Sequence, residues 1–298
     1  MNITIARHHG MCFGVRDALR TAHAIAARKP VTILGQLVHN PEVDRHLKAA
    51  GALSGSLDDP GSATTRDVII TAHGASEARR HAWRAGGFNV TDTTCPLVRK
   101  AHDALAALVA GRYLPVVIGQ ADHVEVRGLV GDFAGAAVVL HEADMAGLPD
   151  APHYGVIAQT TQPLGRVLHL VDCLKRARPA AEVRFIDTVC RPTKQRQDAL
   201  VELCRSNDLI VVVGGHTSNN TRQLVERARQ LGRAAIQIES AAELRAGWFR
   251  GVSSVGVTAG TSTLDETVDA VVASLRRIAA ETRFSPAHGF LRATARIA

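Results

Sequence analysis

The sequence lacks several features that mark common classes of protein. No run of about 18 apolar residues is present, which argues against an ordinary membrane-spanning helix. The first residues alternate like a strand, and no basic segment leads into a signal-length apolar run, so we expect a cytoplasmic chain. The five cysteines are odd in number and widely spaced, which makes a disulfide framework a poor explanation. Reduced thiols are the expectation.

Aromatic residues and dense basic segments are also scarce. Aromatics make up 4% of the chain, and the basic residues behind its formal net charge of +7 are spread over many helices. We therefore expect no nucleic-acid partner, whereas an acidic protein or an anionic substrate suits the charge. No Gly-x-x-x-x-Gly-Lys-Ser/Thr loop is present, so P-loop nucleotide binding is not indicated.

Hydrophobic patterning is the strongest feature that is present. Short β-rich runs alternate with helical runs of ten or more residues, which predicts an α/β protein. With 298 residues and 46% hydrophobic content, the chain can fill two or three packed units. From about Arg283 onward the helical pattern breaks, and we expect an irregular tail. The predicted strands are 31–34, 68–70, 115–118, 155–158, 209–213 and 254–258.

Three cysteine segments match when they are laid over one another. Asp92-Thr93-Thr94-Cys95 and Asp187-Thr188-Val189-Cys190 precede an Asp-Ala-Leu triplet at the same distance, and Cys12 has such a triplet nearer by. A strand that ends in Gly follows each cysteine, with Gln as the next residue in the first two copies and a second Gly in the third. A polar side chain then stands at nearly the same interval from each cysteine: His39, His123 and Ser218. Three copies of one unit explain this agreement.

A second strand in each unit also ends in small polar residues, and ligands of open parallel sheets bind beyond the carboxyl ends of the strands. We therefore predict an α/β trefoil of three pseudo-threefold-related domains around a central cavity. The predicted division is an N-terminal strand and loop at 1–12, domains at 13–95, 96–186 and 187–280, and a tail at 281–298.

The cysteines suggest a metal centre without deciding which one. Equivalent thiols from three units can approach one axis, where a cubane iron–sulfur cluster would keep one iron open for substrate. Three structural cysteines and a zinc-stabilised trefoil are the alternatives. Cys173 and Cys204 have helical surroundings and no counterpart in the other units, so we expect buried structural thiols.

The polar residues at the strand ends suit phosphate oxygens as a set, although a lone one is more often a loop cap. Glu125 is the one carboxylate among them, and strand-like alternation places it on the same side as His123. A carboxyl group in a partly desolvated pocket has a raised pKa and can deliver a proton. A solvated loop or helix-start carboxylate is the alternative. The phosphate-binding candidates are His39, His73, His123, Ser218, Asn219, Asn220 and Ser262.

Taken together, these segments resemble the LytB (IspH) family of 4-hydroxy-3-methylbut-2-enyl diphosphate reductases over roughly residues 1–280. The segments that carry the resemblance are 10–15, 38–40, 72–74, 92–98, 123–125, 159–161, Cys190 with Thr193, Arg196 and Gln197, Ser218 with Asn220, and 258–262.

The resemblance implies a [4Fe-4S] cluster ligated by Cys12, Cys95 and Cys190, with the substrate hydroxyl at the fourth iron. It implies that the phosphate-binding candidates hold a diphosphate, that Thr160 lies by the hydroxyl and that Glu125 delivers the proton. The reaction would convert the allylic alcohol to isopentenyl and dimethylallyl diphosphates, the last step of the non-mevalonate isoprenoid pathway. Reduced ferredoxin or flavodoxin would supply the electrons.

Two departures from the family pattern affect this expectation. Arg191-Pro192 stands before Thr193, where the family commonly has a small residue, and Asn219 replaces one of two serines. The first alters the surroundings of the third cysteine and the second changes one presumed diphosphate donor. They leave open a divergent paralogue that acts as an iron–sulfur sensor or a nucleic-acid-binding protein.

Overall fold

The computed structural model describes residues 1–284, with side chains through residue 281. The chain opens with β1 (Asn2–Ile5) and α1 (Phe13–Ala26). A first parallel sheet follows, in the order β3-β2-β4-β5. Its elements in chain order are β2 (Val31–Leu34), α2 (Pro41–Ala49), β3 (Ala52–Gly55), β4 (Asp67–Ile70), α3 (Glu77–Ala85) and β5 (Asn89–Asp92).

The second sheet has the same arrangement, in the order β7-β6-β8-β9, and all its strands are parallel. Its elements are α4 (Pro96–Ala110), β6 (Leu114–Ile118), α5 (Val124–Val130), β7 (Ala137–Val139), β8 (His153–Ala158), α6 (Leu164–Ala177) and β9 (Glu182–Phe185). A 3₁₀ helix, Glu142–Gly147, connects β7 to β8.

The third sheet takes its fourth strand from the start of the chain. Its order is β1-β12-β10-β11, and β1 lies parallel to β12 with Asn2 opposite Ser254. The remaining elements are α7 (Arg191–Ser206), β10 (Leu209–Val213), α8 (Asn219–Gln230), β11 (Ala234–Ile238), β12 (Ser254–Ala259) and α9 (Asp265–Phe284). The α/β trefoil prediction is therefore confirmed within the described residues.

The two central strands of each sheet are buried on both faces because helices cover them. All five residues of β10, Leu-Ile-Val-Val-Val, are buried, as are the four of β2. Continuous β-branched runs of this kind are typical of parallel strands covered on both faces. The six predicted strands correspond to β2, β4, β6, β8, β10 and β12, the central pair of each sheet.

The predicted tail lies largely outside the described residues, which end within its range at residue 284. The helix α9 continues to Phe284, so the chain is still helical where the irregular segment was expected to begin. In the described part of the chain, no helix combines the length and apolarity needed to cross a membrane.

Candidate active site

The three matching cysteines each stand between a sheet and a helix. Cys12, Cys95 and Cys190 directly precede α1, α4 and α7. Proline in the first turn of α4 and of α7 favours this start, because that turn needs no intrahelical N–H donor. The backbone N–H of each cysteine donates to a carbonyl that follows the neighbouring strand: Thr261 at 2.9 Å, Ala72 at 3.0 Å and Thr160 at 3.0 Å.

Burial governs the chemistry of two of these thiols. Burial raises the pKa of Cys95, and it raises the pKa of Cys190 to about 11, although hydrogen bonds from Thr193 oppose the change. The Thr193 hydroxyl lies 3.1 Å from the Cys190 sulfur. Both groups are therefore protonated thiols at neutral pH unless a cation replaces the proton, as a metal does when it binds cysteine.

Arg196 joins two of the cysteine segments and was not assigned a role from the sequence. Its guanidinium is buried, donating to the carbonyls of Pro192 at 2.9 Å and His9 at 3.3 Å and also to that of Gly10. Burial lowers the pKa of Arg196, while the nearby Cys12 and Cys190 oppose the shift. A buried cation thus lies beside two thiols and holds the loop of one to the helix of the other.

Glu125 lies in the first turn of α5 and is 2% exposed. One carboxylate oxygen accepts from the Thr160 backbone N–H at 2.6 Å and the other from the Thr160 hydroxyl at 3.0 Å. Burial raises the pKa of Glu125 to about 7, outweighing these hydrogen bonds. The strand-like alternation assumed from the sequence was wrong, because His123 is the N-cap of a helix and accepts the Glu125 backbone N–H.

This buried carboxyl makes the stability of the metal-free chain depend on pH. The native state keeps the Glu125 proton between pH 4.5 and about 7, where the unfolded chain has lost it, so stability falls as pH rises through that range. We expect Glu125→Gln to stabilise the metal-free protein by about 3 kcal/mol at pH 8 and by clearly less at pH 5. Urea unfolding at the two pH values measures this, and an equal gain at both would contradict it.

Three histidines meet at one side of the cavity. The ring centroids of His39 and His73 are 4.4 Å apart, and His123 lies 5.1 Å and 5.3 Å from them. Burial is the main cause that lowers all three pKa values, that of His123 to about 3, and the positive charge of Arg222 adds to it for His39 and His123. The imidazoles are therefore neutral at pH 7, and Nδ1 of His123 is an acceptor, which leaves the proton on Nε2.

Unpaired polar atoms mark the same region as a site for a polar ligand. Nε2 of His73 and the amide nitrogen of Asn220 are buried without a hydrogen-bond partner. Buried donors without partners are costly, so an oxyanion that accepts from them would stabilise the site. Ser218 caps α8, and the Ser262 hydroxyl donates to the His39 carbonyl at 3.3 Å.

The structure brings every site residue predicted from the sequence to one cavity. It adds Thr161 and Thr261 to the lining, and it places Arg222 close enough to lower the pKa of His39 and His123. Arg222 follows Asn220 by two positions, but nothing in the repeat distinguished it. The predicted residues that line the cavity are Cys12, His39, His73, Cys95, His123, Glu125, Thr160, Cys190, Ser218, Asn219, Asn220 and Ser262.

The two departures leave this cavity intact. Arg191 is exposed at the start of α7, while Thr193 keeps its contact with Cys190. Asn219 is buried and donates to the Thr161 hydroxyl at 3.1 Å, so it links the third unit to the second. The expectation for the other two cysteines also agrees with the structure, since Cys173 and Cys204 are buried.

Comparison with known proteins agrees with this arrangement. The family model described as "LytB protein" matches residues 3–276. A 4-hydroxy-3-methylbut-2-enyl diphosphate reductase of Geobacter metallireducens is 37% identical over 93% of this chain and 98% of its own length. The reductase of that name from Geobacter sulfurreducens is also 37% identical, over 91% of this chain and 96% of its own length.

Solved structures lead to the same group. The E-1-hydroxy-2-methyl-but-2-enyl-4-diphosphate reductase of Plasmodium falciparum superposes with a TM-score of 0.85 at 26% identity, covering 91% of this chain and 87% of its own. An (E)-4-hydroxy-3-methyl-but-2-enyl diphosphate reductase, described as the terminal enzyme of the non-mevalonate pathway, superposes with a TM-score of 0.66 at 33% identity. The match covers 93% of this chain and 100% of that one. With a family match across nearly its whole length, this chain belongs to the LytB family.

Proposed function

We propose that this chain reduces (E)-4-hydroxy-3-methylbut-2-enyl diphosphate to isopentenyl and dimethylallyl diphosphates, the last step of the non-mevalonate isoprenoid pathway. The observation that carries the proposal is the buried Glu125–Thr160 pair in a cavity that also holds three cysteines and three histidines. The names of the curated relatives support the same reaction.

The proposed cofactor is a [4Fe-4S] cluster on Cys12, Cys95 and Cys190. The thiols are free and line one cavity. In the described residues their three sulfur atoms do not all lie within 4.8 Å of one another. A single zinc ion with bonds of about 2.3 Å would need closer sulfurs, so the spacing favours a polynuclear centre. When bound, such a cluster supplies electron transfer and one iron without a protein ligand.

The residues of the chain supply binding and proton delivery. We assign the diphosphate to the three histidines with Ser218, Asn219, Asn220 and Ser262, and the substrate hydroxyl to the side of Thr160 and Glu125. Protonated Glu125 donates to the hydroxyl as the C–O bond breaks, so that oxygen leaves as water. Two electrons and a second proton complete the reduction, and the new C–H bond forms at one of two carbons.

The test is anaerobic oxidation of a reduced viologen dye by the cluster-reconstituted protein, with and without the substrate. Substrate-dependent oxidation that yields the two isoprenoid diphosphates supports the proposal. An intact cluster with no turnover would contradict it and return attention to a sensor.

Gly14 gives a structural test of the cysteine site. A Cβ on Gly14 would lie 2.4 Å from the Cys95 sulfur, closer than Cβ atoms approach other atoms in real structures, and 3.2 Å from the Cys95 Cβ, which is a tight contact. We therefore expect Gly14→Ala to displace the Cys95 thiol and to lower the iron content after reconstitution. Gly165→Ala on α6 is the matched control, because its Cβ meets nothing within 4 Å. Equal iron in the two variants would contradict the assignment of Cys95.

Substrate binding is expected to take up protons. The three histidines are neutral at pH 7, and a bound diphosphate anion would raise their pKa values, so affinity should weaken as pH rises. Calorimetric titration at pH 6 without reductant, in buffers of different ionisation enthalpy, counts these protons. His39→Asn should lower the count, and His216→Asn, outside the cavity, should not. A binding enthalpy that is the same in all buffers would refute this prediction.

We also propose reduced ferredoxin or flavodoxin as the electron donor. Acidic carriers suit a chain of net charge +7, and the surface next to Cys12 presents Arg7 and Phe13 to solvent.

Free thiols at all five cysteines support a cytoplasmic location. The three separate sheets support a division into three domains at residues 13–95, 96–186 and 187–280, although β1, from the predicted N-terminal segment 1–12, belongs to the sheet of the third domain.

A further inference from the structure

A second cluster of possible metal ligands lies in the second unit, and none of its members lines the central cavity. His169 and Cys173 are four residues apart on α6, so their side chains share one face of that helix. Glu142 begins the 3₁₀ helix Glu142–Gly147, which packs against α6. Two regular elements thus hold three different ligand types, an imidazole, a thiol and a carboxylate, against one another.

The distances suit a single ion. Nε2 of His169 lies 2.7 Å from a carboxylate oxygen of Glu142 and 3.6 Å from the Cys173 sulfur, and all three atoms lie within 4.8 Å of one another. Around tetrahedral zinc, with bonds of about 2.0–2.3 Å, neighbouring ligand atoms are about 3.3–3.7 Å apart. Small side-chain movements are therefore enough to bind a metal ion.

The same geometry argues against a nucleophilic cysteine. A catalytic Cys–His–acid set uses one ring nitrogen toward the thiol and the other toward the acid. Here Nε2 of His169 faces both Glu142 and Cys173. Atoms that converge on one point fit a shared cation better than a proton relay.

Access and charge also agree. His169 and Glu142 are exposed, and Cys173 contributes to the wall of an open groove. Arg176 donates to the Cys173 sulfur at 3.0 Å, but this arginine is itself exposed and its long side chain is free to move away. If a divalent ion displaced the Arg176 side chain, the thiolate of Cys173 and the carboxylate of Glu142 would balance the charge of the ion.

We propose that Glu142, His169 and Cys173 form a zinc site, with water as the fourth ligand. Borderline-soft Zn²⁺ accepts sulfur, nitrogen and oxygen ligands together, whereas Mg²⁺ and Ca²⁺ require oxygen. The ion ties α6 to the segment 142–147 and stabilises the second unit. The site does not depend on the proposed reductase reaction.

The test is anaerobic equilibrium dialysis of the cluster-loaded protein against chelator-buffered zinc, with zinc and iron measured together by mass spectrometry. We expect one zinc per chain and unchanged iron. His169→Ala and Cys173→Ser should each weaken zinc binding by more than the about 10–100-fold that loss of an outer-shell partner costs. Thermal unfolding with and without zinc shows that each variant folds and whether the ion stabilises it.

Two matched variants and one spectrum make the result specific. Cys204→Ser removes another buried cysteine, and His153→Ala removes a histidine that pairs with Glu182 but is not part of the Glu142–His169–Cys173 cluster. Both variants should therefore bind zinc like the wild type. Zinc K-edge absorption should show one sulfur and three nitrogen or oxygen neighbours. Three sulfur neighbours, loss of iron on zinc uptake, or undiminished zinc binding by Cys173→Ser would overturn the proposal.

Discussion

Glu125→Gln is expected to lower kcat by about 10²–10⁴-fold while the iron content stays at the wild-type level. Glutamine can still accept from the Thr160 N–H and can donate to its hydroxyl, so the local packing is kept. What is lost is the proton that accompanies departure of the substrate hydroxyl. Viologen oxidation by reconstituted protein, with iron measured on the same sample, separates loss of chemistry from loss of cofactor.

The pH profile provides the internal check on this prediction. Burial raises the pKa of Glu125 to about 7, so the acid form is present below that pH and is lost above it. The wild-type kcat should therefore fall by about tenfold per unit as pH rises beyond 7, and the variant should lack this limb. Glu182→Gln, an exposed carboxylate, should behave as the wild type. Normal turnover by Glu125→Gln would remove Glu125 from the proton-delivery step.

Cys190→Ser is expected to abolish most of the iron content and nearly all turnover. Burial raises the pKa of the Cys190 thiol to about 11 in the absence of metal, so deprotonation of this thiol costs free energy. A serine hydroxyl is a far weaker acid still and a poorer ligand for iron. Cys12→Ser and Cys95→Ser should behave alike, because the three cysteines occupy equivalent positions.

Cys204→Ser is the control for the cysteine series, since this buried thiol lies on α7 but does not line the cavity. It should keep both iron and activity. The absorbance of the anaerobically reconstituted proteins and their iron content per chain show which variants keep the cluster. If Cys190→Ser kept a full cluster, the ligand assignment would be wrong.

The local hydrophobic pattern was enough to predict the two central strands of each sheet, but it did not predict the edge strands. The strands β6 and β10 are continuous apolar runs, so their burial is evident from the residues alone. The edge strands β5 (Asn-Val-Thr-Asp) and β9 (Glu-Val-Arg-Phe) are half exposed, pair on one side only and carry polar residues. Nothing in a four-residue polar segment distinguishes such a strand from a loop, because its stability comes from the neighbour it pairs with.

Glu125 shows the same limit within the site. Its position in the repeat predicted a functional carboxylate, but not the helix that carries it or the partner that binds it. Thr160 is 35 positions away, and the contact exists because loops that follow β6 and β8 meet beyond one edge of the second sheet. The raised pKa follows from burial, which only the assembled cavity creates.

The sequence by itself determined that three cysteines are equivalent, that polar residues recur beyond the strands, and that the chain is an α/β trefoil, since repeats and periodicity are local properties of the chain. Only the tertiary structure decided that β1 pairs with β12 and that Arg196 lies buried between two cysteine segments. It alone brought Glu142 to His169 and Cys173. These contacts join residues far apart in the chain, and their energies come from packing and burial that no local pattern encodes.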